Sequence, residues 1–131
     1  MHWFYNDGGR SKYFKGEAGD CVIRAVAIAT GRDYLEVYNE IKAFNKGKSC
    51  RNGTPHKVAK NYVNSLGFEW VPTMKIGSGC QMHLCDGELP NGILIVMVSG
   101  HYTCVKDGVI YDTHDCSREG TRCVYGYWIV R

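Results

Sequence analysis

The sequence contains no run of apolar residues approaching the ~18 needed to cross a bilayer, so a membrane-spanning helix is excluded. It also lacks an excess of charge of one sign. Sixteen Lys and Arg stand against 13 Asp and Glu, a net charge of +3. That is too mild to argue for a nucleic-acid partner. The opening residues, Met1 to Asp7, are aromatic and polar and lack the apolar centre of a signal peptide, so a cytoplasmic protein is expected. There are no internal repeats and no low-complexity tracts. At 131 residues the prior is one domain spanning 1–131. Nothing in the sequence speaks to the oligomeric state.

Cysteine, by contrast, is abundant: seven residues, at 21, 50, 80, 85, 104, 116 and 123. Without a secretion signal a disulfide framework is not expected, and most of these thiols are read as reduced and structural.

The chain is organised around Gly19-Asp20-Cys21-Val22-Ile23-Arg24-Ala25-Val26-Ala27-Ile28-Ala29-Thr30-Gly31. Asp20 suits an N-cap and Gly31 the left-handed position that closes a helix. Between them only Arg24 and Thr30 are polar. A helix with no wet face lies inside a core. Cys21 falls in its first turn, where the helix dipole and free N–H groups favour a thiolate. The plainer reading makes Cys21 a small buried apolar residue. Arg24 lies one turn further on, so its charge must be paired. Asp7 is one candidate, and supporting the thiolate or gripping a substrate carboxylate is the functional alternative.

The helical pattern recurs twice. Asp33-Tyr34-Leu35-Glu36 resembles a capping box, and Tyr34, Leu35, Val37, Tyr38, Ile41 and Phe44 form one apolar stripe, predicting a helix over 34–45. Thr54-Pro55 reads as N-cap and first position of a third helix, with Val58, Tyr62, Val63 and Leu66 inward and Gly67 at its end. Residues 68–72 alternate like a short strand. Residues 77–86 carry no clear pattern.

From Gly92 the period changes to that of strands. Ile93 to Val98 is an unbroken apolar run, as for a strand buried on both faces. His101–Lys106 and Val109–Asp112 flank Asp107-Gly108, a two-residue hairpin turn. Residues 123–130 form a last strand. Helices first and an antiparallel sheet second give the α+β class.

The hairpin register places particular side chains together. With Asp107 and Gly108 in the turn, Thr103 pairs with Asp112, and His101 and Asp112 share a face as diagonal neighbours. An Asp that holds a His in one tautomer, beside a Cys, is the orienter of a nucleophilic triad. A slip of one residue would substitute Asp115.

Gly19-Asp20-Cys21 opening a buried helix, with Gly100-His101-Tyr102-Thr103 and Asp112 downstream, resembles the papain-like cysteine peptidases, in particular their small bacteriocin-leader-peptidase-like branch. Asp7-Gly8-Gly9-Arg10, Gly19-Asp20-Cys21-Val22-Ile23-Arg24-Ala25, Asp112-Thr113-His114-Asp115-Cys116-Ser117 and Tyr125-Gly126-Tyr127-Trp128 further resemble a family of small phage and prophage proteins with no established function. The first resemblance implies a papain-like fold and a hydrolase with Cys21 as nucleophile, His101 as base and acid, and Asp112 as orienter. It also implies a peptide or protein substrate and no cofactor. The second implies the cytoplasm of a bacterial host or phage-infected cell. Papain-like enzymes carry a Gln about six residues before the Cys to bind the oxyanion. Here Lys15 holds that position, and the one Gln is Gln81. Asn6, Lys15 or a backbone amide is left as the second donor.

Two other readings stay open. A catalytically silent fold of this type would bind a host protein. A zinc-stabilised module would use Cys80, His83 and Cys85 with His114 and Cys116, although Cys-x2-His-x-Cys is not a standard zinc spacing.

Overall fold

The computed structural model describes residues 1–75 and 77–131. It is an α+β protein with three helices, α1 (Cys21–Thr30), α2 (Tyr34–Phe44) and α3 (His56–Ser65), and one mixed six-stranded sheet. The strands are β1 (His2–Tyr5), β2 (Glu69–Pro72), β3 (Ile93–Val98), β4 (His101–Lys106), β5 (Val109–Asp112) and β6 (Val124–Val130). They lie in the order β1-β5-β4-β3-β6-β2. No helix among the described residues is long and apolar enough to cross a membrane.

The helices cover one face of the sheet. Val22, Ile23, Val26, Val37, Ile41 and Val63 meet Ile95, Tyr102, Cys104 and Trp128 there. Loops cover the other face, where Leu84 and Cys116 pack on Leu94, Val96, Val105 and Ile110. β3 is thus buried on both sides, as its unbroken apolar run requires. The Asp107-Gly108 turn forms as expected. Both residues have positive φ, 48° and 79°, and Lys106 pairs with Val109.

α1 begins at Cys21 and is buried from Val22 to Ala29. Gly8 crosses it closely, since a Cβ on Gly8 would stand 3.4 Å from that of Ala27. Ala27→Leu should therefore overpack the core by about 1–3 kcal/mol, measured as a lowered urea midpoint at unchanged slope. An unchanged midpoint would show that the layer above α1 yields freely.

Several local expectations are corrected. Neither Asp20 nor Asp33 caps its helix through its side chain. The Asp20 carboxylate binds Arg10, Arg24 and Tyr34 instead, and Asp33 accepts from the Tyr13 hydroxyl. α3 starts at His56 with Pro55 before it, so Thr54 lies outside the helix and its buried hydroxyl has no partner. The aromatic N-terminal segment is a parallel edge strand on β5, with Trp3, Phe4 and Tyr5 exposed. The cysteines are not all reduced: Cys80 and Cys123 are disulfide-bonded, with Cα atoms 5.9 Å apart. The unpatterned loop is folded back there by the bridge between His83 and Cys123. Cys21, Cys50, Cys85, Cys104 and Cys116 are free.

Candidate active site

β4 and β5 are antiparallel, so the start of one and the end of the other meet at the same end of the sheet. His101 opens β4 and Asp112 closes β5. His101 Nε2 lies 2.7 Å from Asp112 Oδ2. α1 packs across β4 with its N-terminus at that end, which sets Cys21 against the His101 side chain. The start of α1 and the distant β4–β5 hairpin thereby bring a thiol, an imidazole and a carboxylate into one row.

Electrostatics follow from that row. Burial would raise the Cys21 pKa, but the hydrogen bond and charge of His101, the Tyr102 backbone N–H and Arg24 outweigh it, and the thiol is shifted down. Burial would lower the His101 pKa, but hydrogen bonds with Asp112, Cys116 and Cys21 raise it to about 11. Asp112 is held below the ordinary carboxylate range: burial opposes this, and the hydrogen bond and charge of His101 together with Arg24 override it. Cys21 and His101 thus each favour the charged form of the other, with the Asp112 carboxylate behind the imidazole. Cys104, deep under α1, shows the opposite behaviour, with burial pushing its thiol up to about 12.

Behind the row stands a buried ionic chain. Arg24 donates from Nη1 to Asp112 Oδ1 at 2.6 Å and to the Thr113 hydroxyl at 2.9 Å, and from Nε to Asp20 Oδ1 at 2.8 Å. Arg10 donates to the same Asp20 oxygen at 3.1 Å. Charges alternate along the chain, so each buried ion is paired. Arg24 therefore does not pair with Asp7, whose carboxylate accepts from the Gly9 and Ser11 backbone N–H groups. Arg24→Met should destabilise the fold by about 3–5 kcal/mol, because Asp20 and Asp112 each lose a buried partner. Denaturant unfolding of the variant at neutral pH measures it. A loss below about 1 kcal/mol would mean that water replaces the guanidinium.

An open cleft of about 660 Å³ is lined by Cys21 and His101, while Asp112 stays buried behind them. Gly19, Gly53 and Gly100 are among its walls, with His56, His114 and Asn52. A Cβ on Gly19 would stand 3.1 Å from the Asn52 carbonyl oxygen, so the 51–54 loop presses directly on the approach to Cys21.

The remaining expected site residues lie elsewhere. Lys15 is exposed, does not line the cleft, and accepts from Arg51 through its carbonyl. The Asn6 side chain is used on the Gly8 backbone N–H. Neither is placed to serve an oxyanion. Asp115 accepts from Ser117 and leaves His101 to Asp112, as the hairpin register predicts. The zinc set is not assembled, since Cys80 is bonded to Cys123. A different trio, His101, Asp112 and Cys116, brings ligand atoms within 4.8 Å of one another. Arg24 at 2.6 Å from Asp112 opposes a cation there.

The hairpin register that pairs Thr103 with Asp112 also sets His114 opposite His101, and the two rings stand 5.1 Å apart. Sequence reasoning missed two other neighbours. Cys116 reaches His101 from the loop-covered face. Asn52 and its loop form the cleft wall. No signal in the sequence pointed to either.

Comparison with protein-family models, with curated proteins and with solved structures returned no match.

Proposed function

We propose that this chain is a cysteine hydrolase of papain-like type, a peptidase, isopeptidase or amidase acting on a peptide or protein. The observation that carries this reading is the Cys21–His101–Asp112 row at the start of a buried helix, open to a cleft. The thiolate attacks an amide or ester carbonyl, the carbonyl oxygen becomes an oxyanion, and His101 protonates the leaving group. The resulting thioester is hydrolysed by water that His101 deprotonates. Asp112 keeps the imidazole oriented and charged. The Cys21 backbone N–H, at the first helical position, has no intrahelical acceptor and faces the oxyanion. The second donor in this reading comes from the 52–54 loop, whose residues Asn52, Gly53 and Thr54 line the cleft. No cofactor is needed. The proposed setting, the cytoplasm of a bacterial host or phage-infected cell, rests on the motif resemblances alone.

The absence of Lys15 and Asn6 from the cleft favours a second reading, a silent fold that binds a partner protein. p-Nitrophenyl acetate separates the two. A hydrolase should release p-nitrophenolate in a burst and carry an acetyl thioester on Cys21, detected by peptide mapping. Turnover no faster than that of Cys21→Ala would favour the binding reading.

A further inference from the structure

The Cys21 cleft does not end at His56 and Met97. The same two residues line a second cavity of about 350 Å³, so the two spaces adjoin. The second cavity has an aromatic floor. Trp70, on the outermost strand β2, pairs across the sheet with Trp128, and the ring centroids are 4.4 Å apart. The indole lies over Gly126, where a Cβ would come within 2.3 Å of the ring. Gly126 thus keeps the sheet surface open for it. Tyr125 and Met74 complete the apolar lining.

Above this floor the charge is of one sign. Lys60, on α3, holds its Nζ 4.7 Å from the centre of the Trp70 ring, and Lys75 lines the same cavity. Among the described residues neither lysine forms an ion pair, and no carboxylate lines either half of the groove. A cavity with an apolar floor and two unpaired ammonium groups complements an aromatic residue adjoining a carboxylate. His56 belongs to the junction. Its Nδ1 lies 2.5 Å from the Tyr102 hydroxyl, and burial together with Lys60 lowers its pKa, so at neutral pH it hydrogen-bonds as a neutral ring.

We propose that this second cavity is a specificity subsite of the Cys21 groove that selects a peptide carrying an aromatic residue next to an acidic one. The proposal rests on the reading of Cys21 as the nucleophile, because it makes the two cavities one substrate groove. Lys60 and Lys75 supply the charge selection, and Trp70 supplies the apolar contact.

The test uses short dye-labelled peptides of alanine and serine carrying Phe followed by Glu, Gln or Lys, with binding to the Cys21→Ala protein read by fluorescence anisotropy at low salt. The Glu peptide should bind about fivefold tighter than the Gln peptide, and the Lys peptide more weakly than either. Lys60→Gln with Lys75→Gln should abolish that order, and Lys60→Glu with Lys75→Glu should invert it. Lys12→Glu, at an exposed residue that lines neither cavity, should leave it intact. Equal binding of the three peptides, or an order that survives the double substitutions, would overturn the subsite. In the wild-type protein the Glu peptide should also slow alkylation of Cys21 by iodoacetamide, and binding that leaves this rate unchanged would overturn the continuity of the groove. Failure of the catalytic reading has a separate signature: Cys21 would alkylate no faster than the other free thiols with no peptide present.

Discussion

Iodoacetamide at about pH 6 is expected to alkylate Cys21 before Cys50, Cys85, Cys104 or Cys116. At that pH an ordinary thiol, with a pKa of about 8.5, is almost wholly protonated and unreactive. Cys21 is shifted down by His101, the Tyr102 backbone N–H and Arg24 against the opposing effect of burial. Cys104 is pushed up to about 12, and Cys85 is raised chiefly by its hydrogen bond to Glu88. The pH at which the rate at Cys21 falls should lie below that of an ordinary thiol, because its pKa is shifted down. His101→Ala removes the imidazolium that holds the thiolate. The Cys21 pKa should then return toward the ordinary value, and labelling at pH 6 should slow on the order of a hundredfold. Peptide mapping after timed quenching reads both effects. Labelling led by another cysteine, or a rate indifferent to the His101 change, would remove the basis for a catalytic pair.

Substitution of Asp112 should have the second large effect, on both turnover and folding. Asp112 is acceptor to His101, Arg24 and the Thr113 backbone N–H at once. Asp112→Ala leaves a guanidinium and an imidazolium buried without their carboxylate, at a cost of about 3–5 kcal/mol. Asp112→Asn keeps the shape and removes the charge. In that variant the His101 pKa should drop from about 11 toward the ordinary ~6.5, and turnover of an ester substrate should fall on the order of 10²–10⁴. Asp115→Ala, which removes an exposed side chain that binds only Ser117, should change neither.

The same pair predicts how stability depends on pH, most cleanly in Cys21→Ala, where the thiol no longer titrates. The Asp112 pKa is lowered in the folded protein, so its contribution is complete above the unfolded value of ~3.9 and is lost as pH falls through the folded value. The His101 pKa is raised, with Asp112 still present when Cys21 is gone, so its contribution is complete below the unfolded value of ~6.5 and is lost as pH rises through the folded value. Both contributions are whole between about pH 4 and 6.5. Unfolding free energies measured from acid to alkali should therefore be more level across pH for Asp112→Asn than for its parent. Identical profiles would mean that the ion pair adds nothing to the fold.

Much of the candidate site was legible before any coordinates. The helix at Cys21 announces itself through an apolar run with no wet face, closed by Gly31, and it forms where expected. The pairing of His101 with Asp112 follows from a two-residue turn at Asp107-Gly108 and the alternation of side chains along strands. These features are local: turn chemistry and strand period act within a dozen residues, so the sequence by itself determined them. It also determined the class, because helical periods precede strand periods along the chain.

The tertiary structure alone decided the rest. Asp20 looked like a helix cap, yet its carboxylate goes to Arg10, Arg24 and Tyr34, because two buried guanidiniums must be paired with an anion. Lys15 stands where a papain-like enzyme carries its glutamine, but the wall beside Gly19 comes from Asn52, more than 30 residues away in the chain. Cys80 reads as one of the reduced thiols, yet it bonds to Cys123 once the loop folds back on β6. β1 joins β5 in parallel, a pairing with no turn to announce it. In the last three cases the partners are remote in sequence, and sequence period carries no information about which surfaces will meet. Packing α1 across β4 settles that question, and it is what brings Cys21, His101 and Asp112 to one end of the sheet.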